Sequence, residues 1–328
     1  MPNFSQNQAG VDFDPEFVAV LRATAADSSV DELHALISAR MEGRTIPGLS
    51  LQAGSFVYRA RKVEPSFGPS QASRATLGYP PKEACRLNRL NRDGRPILYC
   101  GLSKSPLLYE CGAKVGDEFV MSIWKLTQPA LVTHIGYAAS TFEQLGSQRQ
   151  VPNFDKESTS GASVDALSDL FSERVTDDQR HHYKITAAIA EVHYGRLRGE
   201  ENKIAGVVYP SVRGAGNSDN VALLPWFADA NLELTKALHF RVTEINDLSF
   251  AKDDLNEGFP DCDGNISWTS RGGVIVLDRP GGSYRATFTK GPDQFGDYQH
   301  GRDCDGHWKI EHFPDTRGTT AEDYGAKG

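Results

Sequence analysis

The sequence predicts an α+β fold: a core that mixes short strands with helices, flanked by a helical N-terminal extension and a β-rich C-terminal one. Three observations carry this expectation. Cap residues open two apolar-striped helices before residue 47. Short β-branched and aromatic runs then mix with stretches of helical spacing, without the strand–helix–strand regularity of a parallel sheet. Past residue 240 the pattern turns to short apolar runs separated by turn signals. The expected organisation is therefore an N-terminal extension over 1–47, a core over 48–240 with an insertion at 135–195, a C-terminal extension over 241–313, and a disordered tail over 314–328.

Taking the elements in order, Asp14-Pro15 offers a cap with proline at the first helical position, followed by Phe17, Val18, Val20 and Leu21. Ser29 precedes a second helix with Leu33, Leu36 and Ile37, ending at Gly43. Strands are expected at 55–61, 97–101, 119–126, 131–134 and 204–210. Ser103 is placed to cap a helix reaching Val115, with Leu107, Leu108 and Cys111 on one face. Residues 146–163 are polar and turn-rich, a loop or lid. Ser163 to Val175 and Asp177 to Tyr194 have helical spacing, the latter with Ile185, Ala188, Ile189 and Val192 as an apolar stripe. Gly273 to Leu277 and Ser283 to Thr289 flank a Pro-Gly turn and read as a hairpin. The tail after Phe313 has almost nothing apolar to bury.

At 328 residues the chain can bury a substantial core, and a net charge of −8 with scattered cations gives no footprint for nucleic acid or anionic lipid. No run of about 18 apolar residues appears, and the opening MPNFSQNQAG lacks the pattern of a secretory leader, so a cytoplasmic protein is expected. Cysteines at 85, 100, 111, 262 and 304 show no CxxC spacing and read as reduced thiols. Asp-Cys-Asp-Gly occurs at 261–264 and again at 303–306; turn chemistry, a cation site and a Cys262–Cys304 pairing are the three readings. His181 and His182 read as exposed helix residues, and no metal site is expected.

Three polar side chains stand in apolar, β-favouring surroundings: Arg59 between Tyr58 and Ala60, Glu110 after Leu107-Leu108-Tyr109, and Ser211 after Val207-Val208-Tyr209-Pro210. Such groups are seldom buried without partners, so they point to a small polar pocket opening from a core. Their order resembles the RES domain family. So do Arg89, Asn91 and Gly94 as an Arg-x-Asn-x-x-Gly segment, the strand ending in Tyr99, and Asn220 downstream of the Pro-Ser turn. The resemblance covers roughly Phe56 to Leu234. The chain departs from the small toxin members in its length, in the long insertion between Glu110 and Ser211, and in reading Arg86-Leu87-Asn88 where an aromatic and glycines stand in them.

The resemblance implies a core similar to the ADP-ribosyltransferases, two small packed sheets with flanking helices, and an enzyme for which NAD is the substrate rather than a resident cofactor. It implies cleavage of the nicotinamide–ribosyl bond by water or by inorganic phosphate as co-substrate, in a toxin-like protein restrained by an inhibitory, antitoxin-like partner. Transfer of ADP-ribose to a protein and a nucleotide sensor without turnover are the alternatives, and the oligomeric state stays open. Glu110 would stabilise the developing ribosyl cation. Arg59 would grip a phosphate or ribose oxygen through its planar fork, or else bridge strands as an ion pair. Arg89 is a second phosphate ligand, helped by Asn91, whereas Arg61, Arg86 and Arg92 read as surface residues. Ser211 would hydrogen-bond the nucleotide or shape the turn after Pro210. Tyr58, Tyr99 and Tyr209 would stack on nicotinamide or adenine, or fill the core. Gly214 and Gly216 lack the third glycine of a Rossmann fingerprint, which disfavours a dehydrogenase.

Overall fold

In the computed structural model of the chain, residues 13–42, 46, 48–104, 106–147, 162–173, 175–195, 203–246 and 250–270 are described, together with the backbone of four later strands. In chain order these hold α1 (Pro15–Thr24), α2 (Val30–Met41), β1 (Gly48–Leu51), β2 (Phe56–Lys62), α3 (Arg74–Leu77), β3 (Leu98–Gly101) and α4 (Pro106–Glu110). Next come β4 (Glu118–Leu126), β5 (Ala130–His134), α5 (Ala139–Gln144), α6 (Ala162–Ser172), α7 (Tyr183–Gly195), β6 (Gly206–Pro210), β7 (Asp219–Leu223) and α8 (Pro225–Asn231). The last are β8 (Leu232–Ile245), β9 (Phe250–Pro260), β10 (Ile266–Ser270), β11 (Gly273–Asp278), β12 (Arg285–Lys290), β13 (Tyr298–Arg302) and β14 (Trp308–His312). The mixed α+β class is as expected. Most of the predicted lid, from 148 to 161, and the tail over 314–328 lie outside the described residues.

The chain forms two compact units, each assembled from separated segments. Unit 1 takes Met1–Ser55, Tyr79–Tyr99 and Leu126–Asn231; unit 2 takes Phe56–Gly78, Cys100–Lys125 and Leu232–Gly328.

In unit 1 the two cap signals hold as predicted. Asp14 accepts the Phe17 N–H at 2.8 Å, and Ser29 and Glu32 form a reciprocal capping box. The helices they start are no appendage, however. Phe17, Leu21, Leu33 and Ile37 are buried in the same cluster as Leu90, Ile97, Ile185, Ile189, Val207 and Ala222, so the extension and the core share one interior. Each of the Leu, Ile, Val and Phe side chains among them contributes on the order of 2 kcal/mol. α2 packs on α7 and α1 on α6. The strands run β1-β5-β6-β7, antiparallel except for the β5–β6 pair.

Unit 2 is an antiparallel ladder, β2-β4-β8-β9-β11-β12, with β10 also paired to β9. The predicted hairpin is present as β11–β12, with Val274 opposite Thr289 and Asp278 opposite Arg285. The expected boundary at 240/241 falls inside β8, whose pairing with β9 makes the C-terminal strands a continuation of that ladder. The first Asp-Cys-Asp-Gly copy is the β9–β10 turn, in which Asp261 Oδ1 accepts the N–H groups of Asp263 and Asn265, both at 2.9 Å. Cys262 is an exposed free thiol there; the second copy lies outside the described residues.

The helix expected over 103–115 is far shorter. Gly112 adopts φ 62, its N–H bonds the Tyr109 carbonyl at 3.0 Å, and the Ala113 N–H reaches back to Leu108 at 2.9 Å. This is a Schellman closure, which only a residue tolerant of the left-handed region supplies cheaply, and it makes Glu110 the last residue of α4. No helix among the described residues is long and apolar enough to cross a membrane.

Candidate functional site

Arg59 and Glu110 both belong to unit 2. α4 packs on β2, and its Leu107 and Leu108 enter an apolar cluster with Phe119, Met121 and Ile123, against which Tyr58 and Ala60 pack. The Cys111 thiol, one residue past Glu110, donates to the Ala60 carbonyl at 3.8 Å, one residue past Arg59. The helix end that carries the carboxylate is thereby tied to the stretch of strand that carries the guanidinium.

Their faces differ. Directly opposed residues of neighbouring strands share a face of the sheet. Tyr58 is opposite Ile123 and Ala60 opposite Met121, which sets both toward α4; Arg59 is opposite Ser122, on the other face. There Ser122 is wholly buried, donates from Oγ to the Arg59 carbonyl at 3.3 Å and accepts the Trp124 indole N–H at 2.8 Å. That face is covered by residues 63–78 through polar and cation–aromatic contacts. Arg61 donates to the Thr76 carbonyl at 2.9 Å and lies 3.7 Å over Phe67, while Arg74 lies 5.6 Å over Trp124. Burial pushes the Cys100 thiol up to about 12, with the Arg59 charge pulling the other way, so the guanidinium lies within electrostatic reach of β3. β3 runs antiparallel to β2 with Gly101 opposite Tyr58, so β2 lies between β3 and β4. Arg59 and Glu110 are both half-buried, and Lys104 Nζ sits 5.3 Å over the Tyr58 ring.

The remaining predicted residues belong to unit 1. Asn91, 7% exposed, gives its amide hydrogens to the carbonyls of Arg86 and Arg92, both at 3.0 Å, and accepts the Tyr99 hydroxyl at 2.9 Å. The same hydroxyl accepts the Leu90 N–H at 2.9 Å. Burial, partly offset by that backbone bond, raises the Tyr99 phenol well above its usual range, so it stays a neutral donor. Gly94, at φ 68, closes the loop with an N–H to the Cys85 carbonyl at 3.2 Å. Arg89, expected as a phosphate ligand, donates to the carbonyls of Phe171 and Glu173 and lies 5.6 Å over Tyr183; these contacts cap the C-terminal end of α6. The Arg-x-Asn-x-x-Gly segment is thus a compact, internally bonded loop.

Ser211 is 0% exposed. Its N–H bonds the Ser218 carbonyl at 2.8 Å, its Oγ accepts the Gly214 N–H at 3.0 Å, and its carbonyl accepts the Gly216 N–H at 2.8 Å. Ser211 therefore shapes the turn between β6 and β7. Tyr209 and Asn220 stand opposite each other on those strands, both buried.

Two residues escaped sequence reasoning. Ser122 carried a signal, a lone hydroxyl in an otherwise apolar strand. Arg92, read as a surface residue, is instead held by two carboxylates: Nε donates to Glu191 at 2.6 Å, a second nitrogen to the other Glu191 oxygen, and Nη1 to Asp31 at 2.6 Å. No local signal could reveal it, because its partners lie 99 and 61 residues away.

No curated protein matches the chain. Residues 56–243, more than half of it, match the RES domain. That segment contains Arg59, Glu110, Ser211 and the loop of Arg89 and Asn91, and the chain belongs to the RES domain family.

Proposed function

We propose that this protein degrades NAD by cleaving the bond between nicotinamide and its ribose, with water or inorganic phosphate as acceptor. The family is associated with NAD-acting enzymes, and the ADP-ribosyltransferase-like core, a toxin-like role and an inhibitory partner are inferred from membership alone. The observation that carries the reading is that unit 2 holds both a half-buried carboxylate at the end of α4 and a half-buried arginine on β2, the strand on which α4 packs, although that arginine lies on the opposite face.

In the proposed reaction the C1′–N bond breaks and its electron pair leaves with nicotinamide, neutralising the pyridinium charge. Positive charge then develops on the ribose. Glu110 lies beside the carbonyl end of α4, so its carboxylate and the helix terminus place negative potential together, the setting an oxocarbenium-like transition state needs. Arg59 would grip a ribose or phosphate oxygen. Water attacking C1′ and losing a proton yields ADP-ribose; phosphate yields ADP-ribose 1-phosphate. A lone carboxylate suits this scheme, since neutral nicotinamide needs no acid to leave and the paired carboxylates of ordinary glycosidases are unnecessary. Ser211 enters as the residue that shapes its turn.

Purified protein incubated with NAD, with and without phosphate, tests the reading. Phosphate-dependent loss means phosphorolysis and loss in water means hydrolysis. ADP-ribose appearing on protein would replace the proposal with transfer, and intact NAD with saturable binding would replace it with a sensor.

A further inference from the structure

Within unit 2 the face that carries Arg59 is bridged by residues 63–78, and the far end of that bridge rests on the β9–β10 hairpin, which begins after the matched family segment has ended. Above β2, Arg61 donates to the Thr76 carbonyl and lies over Phe67; above β4, Arg74 lies over Trp124. Arg59 and Ser122 stand opposite each other between those contacts, with Arg61 opposite Val120 on one side and Val57 opposite Trp124 on the other. The bridge then reaches the hairpin. There the Trp268 indole N–H donates to the Pro69 carbonyl at 2.9 Å, the Arg74 N–H donates to the Gly264 carbonyl at 2.6 Å, and Ser73 pairs with Asn265 as an isolated β-bridge.

The indole is itself held in place. Trp268 stands opposite Gly258, where a Cβ would come within 2.8 Å of the ring, so a glycine there gives the indole its seat. The ring is also edge-on to His239 at 6.3 Å, and that imidazole is fixed at both nitrogens, by Glu118 at 2.8 Å and Asn256 at 3.0 Å. The bridge is braced locally as well: Ser73 and Thr76 cap α3 reciprocally, and the Gly68 N–H bonds the Gln71 side-chain oxygen at 2.8 Å, so the segment keeps its own shape and lifts as one piece. We propose that Trp268 is a positioning residue: through it the β9–β10 hairpin latches the bridge over Arg59 and sets how often that guanidinium is open to an anionic group of a ligand. That the anionic group is a phosphate of NAD rests on the function proposed above; the latch does not.

The test uses full-length Trp268→Phe, which keeps a ring over Gly258 and removes the donor. Loss of one hydrogen bond to a partly buried carbonyl should make the open state roughly 10-fold more populated. Three readouts should then move together by that factor. Amide exchange in residues 66–77 quickens while residues 119–125 stay as an unchanged reference, and modification of Arg59 by phenylglyoxal, mapped by mass spectrometry, quickens with it. KM for NAD falls with kcat preserved, because apparent affinity scales with the binding-competent fraction. Trp268→Ala, which also empties the seat over Gly258, should move each readout at least as far. Parental exchange in 66–77, faster exchange in the reference as well, unchanged Arg59 modification beside faster exchange, or a KM that holds or rises would each overturn the proposal. A parent chain that leaves NAD intact would remove the proposed function, while exchange and arginine modification would still decide the latch.

Discussion

In unit 1, Asn91 gives both amide hydrogens to carbonyls and accepts from Tyr99, Arg89 caps α6, and the Ser211 hydroxyl closes its own turn. In unit 2, Arg59 sits half-buried in mid-strand and Glu110 half-buried at the end of a helix closed by Gly112. Both sets belong to the matched family segment, yet the first builds scaffold and the second presents charge. Family resemblance therefore marks two kinds of residue, and substitution should separate them: unit 1 positions register first in stability, unit 2 positions first in turnover.

The sharpest separation is expected at Glu110. Glu110→Gln should slow NAD loss by roughly 100- to 1,000-fold, the scale of one lost transition-state charge contact, with the melting temperature unchanged. Undiminished turnover would remove Glu110 from the mechanism, and a large fall in melting temperature would make it scaffold after all. Asn91→Ala should do the reverse: the Tyr99 hydroxyl and two carbonyls lose their partner in a buried loop, costing about 3 kcal/mol by chemical denaturation. A loss below about 1 kcal/mol would break the contrast.

Acid offers a second probe of unit 1. Burial holds His134 down to about 4, against an ordinary value near 6.5, and its ring packs edge-on to Tyr137 at 5.7 Å. The unfolded chain then binds a proton that the folded one refuses, so stability is complete above about pH 6.5 and falls as pH drops toward 4. The residue is 6% exposed, so the loss should reach about 3 kcal/mol by pH 4, and a pH series of denaturation curves should flatten in His134→Gln. An identical slope in that variant would assign the acid sensitivity to other groups. The smallest effect is expected at Ser211→Ala, about 1 kcal/mol for one hydroxyl accepting one turn N–H, read from the same denaturation assay. A variant as stable as the parent but much slower on NAD would move Ser211 to the catalytic side of the comparison.

What could be read before any coordinates was local. The caps at Asp14 and Ser29 act within a turn of chain, and strands such as β2, β4 and β5 announce themselves by β-branched and aromatic clustering. The helix expected over 103–115 stops at Glu110 because Gly112 takes a positive φ, which the apolar spacing of Leu107, Leu108 and Cys111 does not announce. β1, β7 and β8 have no counterpart among the expected strands, and β9 and β10 are expected only as part of a β-rich extension, since charged residues interrupt the alternation of β8 and β9 while cross-strand partners still pair them.

By itself the sequence determined the α+β class, the family and the residues in which to look for chemistry, because caps, turns and short motifs act over a few residues. Tertiary structure decided that the N-terminal helices belong to the core, that Arg59 and Ser122 share a face opposite α4, and that Arg92 bridges Asp31 and Glu191. Burial and ion pairing depend on groups far apart along the chain, whose encounter is set by packing rather than by any local pattern.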